Sequence, residues 1–294
     1  MDEVARQAAM SDLYGLAGHL LWRAAARVGT EVDRILPGRA DIHSYATLLA
    51  LTDAEPQTQS SLARLTGVSG TTMTTVALAL QREGLAARVR NPEDRRSYSL
   101  TRTAAGRSAV ADLAPQVARL EHRLTASVSP SDAERLRSLL RSVLGDQLDE
   151  HMPRALLDST GFLVTKAHQR THREFATALL PVGIEPRHYG ALRALLIVGP
   201  VTQGELAQLL DVSPATVVAM VDDLEARGLL SRERDVQDRR VSRLHLSPEA
   251  STVVENAGEV STRLLEDRLG GRDSVERHDL VRLLRGLLLD TAGG

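Results

Sequence analysis

LARLTGVSGTTMTTVALALQREGLAARVRNPEDRRSYSL, residues 62–100, recurs 144 positions later as LAQLLDVSPATVVAMVDDLEARGLLSRERDVQDRRVSRL, residues 206–244. Aligned without a gap, Leu62, Val68, Ser69, Thr72, Leu80, Gly84, Leu85, Arg88, Arg90, Asp94, Arg95, Arg96 and Leu100 meet the same residue type in the second copy. The register extends outward, since Pro37, Tyr45, Leu48, Thr58 and Gln59 return as Pro181, Tyr189, Leu192, Thr202 and Gln203. Solenoid units repeat every ~20–50 residues, so a period this long marks a duplicated domain. We place the copies at 1–152 and 153–294, dividing where Glu150-His151-Met152-Pro153 breaks the pattern.

Each copy reads as mainly α with a small β-wing. In the first, helices are expected over 10–36, closed by Pro37-Gly38, and over 42–53 and 59–66. Ser69 is a good N-cap for a helix over 70–83 that Gly84 ends. In the second copy Ser213 caps a helix over 214–227. Pro214 takes its first position, where an N–H would have no helical partner anyway. Strands are expected at 85–90 and 96–102 around Asn91-Pro92-Glu93-Asp94, and at 229–234 and 240–246 around Asp235–Asp238. These hairpins give wings over 86–102 and 230–246. A helix over 103–127 and a last one after Ser129-Pro130-Ser131 complete the copy. The last carries Leu136, Leu139, Leu140, Val143 and Leu144, the stripe of one helix face. It returns as Leu280, Leu283, Leu284, Leu287 and Leu288, and suits either a domain core or association with another helix.

Composition narrows the function. Hydrophobic content of 43% and charged content of 25% are ordinary for globular domains. The net charge of −2 means that any affinity for a polyanion must come from local patches. The lack of cysteine removes disulfides, thiolate metal sites and thiol redox chemistry together. Asp2, Glu3 and Arg6 come first, and Arg23 interrupts the apolar run at 13–28, unlike a signal peptide. No apolar stretch approaches the ~18 residues that span a bilayer, so a soluble cytoplasmic protein without membrane contact is expected. The nucleophile-elbow, P-loop and dinucleotide glycine motifs are missing, which argues against an enzyme, and no cofactor is expected.

A helix–turn–helix followed by a β-hairpin is the winged-helix arrangement. Its second helix lies in the major groove of double-stranded DNA. The hairpin reaches sideways, and arginines at its tip enter the minor groove or grip phosphates. Arg95 and Arg96, like Arg239 and Arg240, occupy the tips, with Asp94 and Asp238 placed to hold the guanidiniums. An exposed Asp-Arg-Arg turn by itself is usually a solvated charge run. Its place just after a helix–turn–helix, in both copies, favours DNA.

On LARLTGVS, LQREGL and RNPEDRRSYSL in the first copy, and LAQLLDVS, LEARGL and RDVQDRRVSRLHLS in the second, the chain resembles the multiple-antibiotic-resistance regulator (MarR) family. The likeness covers almost all of each half. Members are typically homodimers of single-domain chains joined through terminal helices, with an effector pocket between that interface and the DNA-binding lobe. Each half here carries both helix sets, 10–36 with 103–150 and 155–180 with 251–290. The resemblance therefore implies one chain acting as a fused, internally paired pseudo-dimer, monomeric in solution. It also implies groove-facing positions at Gly70, Thr71, Thr74, Thr75 and Leu78, matched by Pro214, Ala215, Val218, Ala219 and Asp222.

The DNA-contact candidates are Thr71, Thr72, Thr74, Thr75, Arg82, Arg90, Arg95, Arg96, Arg234, Arg239 and Arg240. His19, Trp22, His43, Tyr45, His188 and Tyr189 are effector candidates for a small aromatic or carboxylate ligand, though core packing accounts for each equally well. Residues 57–107 hold eight Arg against three acidic residues, net +5, while 201–251 hold six against nine, net −3. Asp222 and Asp223 are expected to face phosphates, so the second helix should read DNA poorly and the operator should be asymmetric or an imperfect palindrome. His168 and His172 have the spacing by which two imidazoles share a metal, with His188 as a possible third ligand. A pair of surface histidines meets that spacing as well, and no metal is assigned. The leading expectation is a ligand-responsive repressor. A winged-helix protein-interaction module and a metal-responsive regulator are the alternatives.

Overall fold

A computed structural model of the chain describes residues 17–35, 42–51, 55–90, 98–210, 212–235, 241–271 and 274–289. The first copy runs α1 (Ala17–Ile35), α2 (Ile42–Ala50), β1 (Gln57–Thr58), α3 (Gln59–Thr66), α4 (Gly70–Arg82), β2 (Ala86–Arg90), β3 (Tyr98–Arg102), α5 (Ala104–Thr125) and α6 (Pro130–Leu144). A short helix α7 (Arg154–Leu157) leads into the second copy. There follow α8 (Thr160–Leu179), α9 (Pro186–Val198), α10 (Gln203–Leu210), α11 (Pro214–Ala226), β4 (Leu230–Arg234), β5 (Ser242–Leu246), α12 (Pro248–Glu266) and α13 (Val275–Leu288). Both copies are mainly helical with a small wing, as the repeat demands. No described helix is long and apolar enough to cross a membrane.

Two helices depart from expectation. The one read over 155–180 is interrupted at Asp158-Ser159, because the Glu121 carboxylate accepts the Thr160 N–H at 3.0 and 3.1 Å and starts a new helix there. The one read over 251–290 is two helices. The first begins early because Ser247 accepts the Ala250 N–H and Pro248 fills the first turn. The first wing also has a third strand: β1 pairs with β3 through Gln57↔Leu100 and Thr58↔Ser99. The second copy keeps only the bridge Val201↔Leu244 at that place.

The chain forms two compact units. One holds Gln169–Val281 with the described residues up to Leu20, and the other holds Leu21–His168 with the described residues from Arg282. The divisions therefore fall inside α1, α8 and α13. In the first unit, Leu192, Leu206, Val217, Met220, Leu224, Leu244 and Val254 form one core. In the second, Leu48, Leu51, Leu62, Met73, Val76, Leu80 and Leu100 form its equivalent beneath α4.

The stripe Leu136, Leu139, Leu140, Val143 and Leu144 is fully buried. The end of α13 belongs to this second unit, where the Ser127 hydroxyl donates to the Gly286 carbonyl at 2.7 Å and Arg282 donates to Asp132 at 3.1 Å. A Cβ on Gly286 would come within 2.8 Å of Val128 Cγ1, so the glycine permits the approach. Glu31 on α1, nearly buried, accepts from Arg123 Nε of α5 at 2.7 Å and bolts the two helices together. That bond holds the Glu31 carboxyl below its usual range, against the opposing effect of burial.

Candidate nucleic-acid interface

The helix pair of the first copy is fixed by its caps. Thr58 Oγ1 accepts the Ser61 N–H at 3.1 Å and starts α3. Gly67 ends it at φ 62°, a left-handed conformation that glycine adopts without steric cost, and its N–H returns to the carbonyls of Ala63 and Arg64. Lys166 donates to the Gly67 carbonyl from outside the turn. Ser69 then accepts the Thr72 N–H at 3.1 Å and starts α4.

Met73, Val76, Ala77 and Leu80 bury one side of α4. Gly70, Thr71, Thr74, Thr75, Leu78 and, in the last turn, Arg82 are exposed on the helix. Leu78 keeps 48% of its surface in water. The Thr74 hydroxyl donates to the Gly70 carbonyl at 3.0 Å and also lies 3.3 Å from Gln59 Oε1. The Thr75 hydroxyl donates to the Thr71 carbonyl at 3.3 Å. Thr72, named with these as a DNA contact, sits differently. It is half-buried, and its hydroxyl lies 2.8 Å from Ser69 Oγ, within the cap.

Beside the candidate Arg90, the first wing adds two residues that sequence reading passed over, Arg88 and Tyr98. Arg88 and Arg90 are both exposed on β2, two apart and so on one strand face. Arg90 pairs across the ladder with Tyr98, and the Arg88 guanidinium stands 3.6 Å above the Tyr98 ring. This cation–π contact holds the arginine beside an aromatic that is itself 45% exposed. The strand period could have grouped Arg88 with Arg90. The stacking partner carries no local signal. Asp94, Arg95 and Arg96 lie outside the described residues, as do Asp238, Arg239 and Arg240.

The second copy has the same frame and different electrostatics. Ser213 caps α11, whose inner side is Val217, Met220, Val221 and Leu224. Pro214, Ala215, Val218, Ala219 and Asp222 are exposed. Arg232, the counterpart of Arg88, donates to the carboxylates of both Asp222 and Glu225. Asp223 accepts from Arg227 Nε at 3.1 Å, and this bond holds its carboxyl below the usual range. The two aspartates expected to confront phosphates are thus tied to arginines of their own copy. Arg234 is exposed at the end of β4.

Of the effector candidates, His19 and Trp22 on α1 and His43 on α2 are half-buried, and Tyr45 is buried. Burial raises the Tyr45 hydroxyl pKa. Tyr189 is buried edge-on against Phe175, with ring centres 5.3 Å apart. His188 is fully enclosed: its Nδ1 accepts the Glu185 N–H at 3.1 Å, and its Nε2 lies 3.0 Å from Asp223. Among the described residues a small apolar cavity is bounded by Ala24, Arg27, Val28, Leu124, Thr160, Val164 and Leu287, and none of the effector candidates lines it. His168 is half-buried and His172 exposed on α8. No three His, Asp or Glu side chains among the described residues group to hold a metal.

The His188 contact has a measurable consequence. Burial lowers the His188 pKa from its ordinary 6.5, although the neighbouring Asp223 charge opposes the shift. The unfolded chain therefore takes up this proton at a higher pH than the folded one. Stability should fall as pH drops below 6.5, with a slope of up to about 1.4 kcal/mol per pH unit from this group. His188→Gln is expected to remove that component from a series of thermal melts between about pH 7.5 and 5. An unaltered slope would assign the titration to another group.

Two copies of a capped helix pair, each leading into an arginine-bearing hairpin, define a tandem winged helix-turn-helix protein. Residues 42–98 and 182–241 each match a family model described as MarR family. The chain belongs to the MarR family of DNA-binding transcription regulators, with two such domains in tandem. It is 28% identical over 128 residues to a putative transcriptional regulatory protein for the hcr operon of Thauera aromatica, covering 43% of this chain and 77% of that one. It is 26% identical over 139 residues to the HTH-type transcriptional repressor NicR of Pseudomonas putida, covering 47% and 88%. Among solved structures, the transcriptional repressor CouR bound to a 23-mer DNA duplex is 30% identical, covering 44% of this chain and 92% of that one, with a TM-score of 0.41.

Proposed function

We propose that this regulator represses transcription by binding an asymmetric operator as a single chain, and that a small aromatic or carboxylate effector releases it. The observation that carries the reading is the contrast between one arginine and its repeat. Arg88 is exposed beside Arg90 and next to a helix that carries no carboxylate, whereas Arg232 is held by Asp222 and Glu225. Thr71, Thr74, Thr75, Arg82, Arg90, Arg95 and Arg96 serve one half-site. Arg234, Arg239 and Arg240 grip the other mainly through its backbone, and Thr72 supports the first helix through its cap.

Internal pairing of the halves is supported by the makeup of the units. Residues from the end of the last helix pack with the first copy, as they would if the duplicated terminal helices formed one interface. A tether sets an effective concentration of order mM, which favours pairing within the chain over pairing between chains. Repression is in line with the similarity to the Pseudomonas putida transcriptional repressor NicR. The effector reading rests on the family likeness and on His19, Trp22, His43, Tyr45, His188 and Tyr189. A cytoplasmic location fits action on DNA.

Genome-wide footprinting with the purified protein, starting from its own promoter region, should yield the operator. On that duplex one chain should bind per site, and Arg96→Ala should weaken binding more than Arg240→Ala. Each lost phosphate contact should reduce the log–log salt slope by roughly 0.9. Two chains per site, or equal losses from both wings, would refute the single-chain asymmetric reading.

A further inference from the structure

The exposed side of α4 has a chemistry narrower than DNA binding requires, and the inference drawn from it rests on the reading above. A threonine hydroxyl has one proton to give. Thr74 gives it to the Gly70 carbonyl and Thr75 to the Thr71 carbonyl, each four residues back along the helix. What these side chains can offer a groove is a methyl group and an acceptor oxygen. One turn on, Leu78 is wholly apolar and 48% exposed. Over Thr74, Thr75 and Leu78 the face thus carries no donor free to satisfy the two acceptors of guanine, nor the paired donor and acceptor that would read adenine; the exposed donors Thr71 and Arg82 stand at the two ends of the helix.

In the major groove the one apolar feature of the bases is the C5-methyl group of thymine. We infer that Thr74, Thr75 and Leu78 select their half-site by packing against thymine methyls, so that the preferred duplex carries T·A pairs where it meets α4. The second copy presents the same class of surface in Ala215, Val218 and Ala219, with the neighbouring Asp222 occupied by Arg232. Its contribution to base choice is methyl contact alone.

The test removes the methyl and nothing else. The full chain is first used to select a duplex from a random-sequence library. Each thymine of that duplex is then replaced by deoxyuridine, which lacks only the C5-methyl. Binding should weaken about fourfold per thymine under α4, since a buried methyl-sized group contributes ~0.8 kcal/mol and 1.4 kcal/mol is a factor of ten. Thymines that lie under neither α4 nor α11 should tolerate the exchange.

Two variants separate methyl from hydroxyl. Thr75→Ser keeps the hydroxyl and should erase the thymine-over-uracil ratio at its base pair. Thr75→Val keeps the methyl and should preserve that ratio. Uracil binding as well as thymine throughout, or Thr75→Ser preserving the ratio while Thr75→Val loses it, would overturn the inference and leave DNA reading intact. Selection that enriches no sequence at all would overturn the DNA reading itself.

Discussion

Leu140→Ala is expected to cost about 2–5 kcal/mol of stability, the range for deleting a buried leucine side chain whose cavity cannot fully collapse. Leu140 has no exposed surface, and neither it nor its neighbours Leu136, Leu139 and Val143 on α6 have room to relax into solvent. The stripe admitted two readings in sequence, core or interface, and in both its leucines leave water. What decides the magnitude is that the whole stripe is enclosed, because an enclosed site keeps the void that truncation makes. Urea and thermal melts of the full chain would read the loss, several degrees in Tm at the least. A loss under about 1 kcal/mol would mean that α6 is packed far more loosely than described here.

The second large effect concerns Arg232. Asp222→Asn combined with Glu225→Gln removes both carboxylates that hold this side chain. If α11 lies against a phosphate backbone, two repulsions of roughly 1 kcal/mol each disappear. Operator binding should then tighten by about tenfold to thirtyfold at low salt. The salt dependence should steepen by roughly 0.9 in slope as Arg232 gains a phosphate. Titrations across a salt series would separate the two contributions. Unchanged affinity and slope would remove the second copy's helix from the DNA altogether.

Much of the frame was legible because it is punctuated locally. Ser69 and Ser213 before helical runs, Gly67 and Gly84 after them, and apolar residues at helical spacing placed α3, α4 and the hairpin within a residue or two. The two-residue strand β1 was not, since Gln57 and Thr58 are too few to show any period and pair with a strand forty residues away. The restart at Thr160 depends on a carboxylate from α5, which no reading of 155–180 contains.

At the site, the exposed positions of α4 follow from helical geometry alone. The partners of Arg88 and Arg232 do not. Both arginines stand at the same place in the repeat, and what each touches is set by Tyr98 in one copy and by Asp222 with Glu225 in the other. Thr72 shares the helix with Thr71 and Thr74, but a hydroxyl three residues from a capping serine finds that serine first. His188, read in sequence as an effector candidate or a third metal ligand with core packing as the alternative, is enclosed by the fold beneath α11.

Joining two copies of one domain in a single chain changes what a mutation means. In a protein assembled from two identical subunits, every substitution is made twice, and a residue that improves one surface must be endured by the other. Here Leu78 and Asp222 occupy the same place in their respective copies, and each was free to change while the other stayed as it was. A carboxylate that would repel both halves of a symmetric site is confined to one. The duplication thus lets selection treat the two faces as separate traits, and recognition of unlike half-sites becomes reachable by single steps.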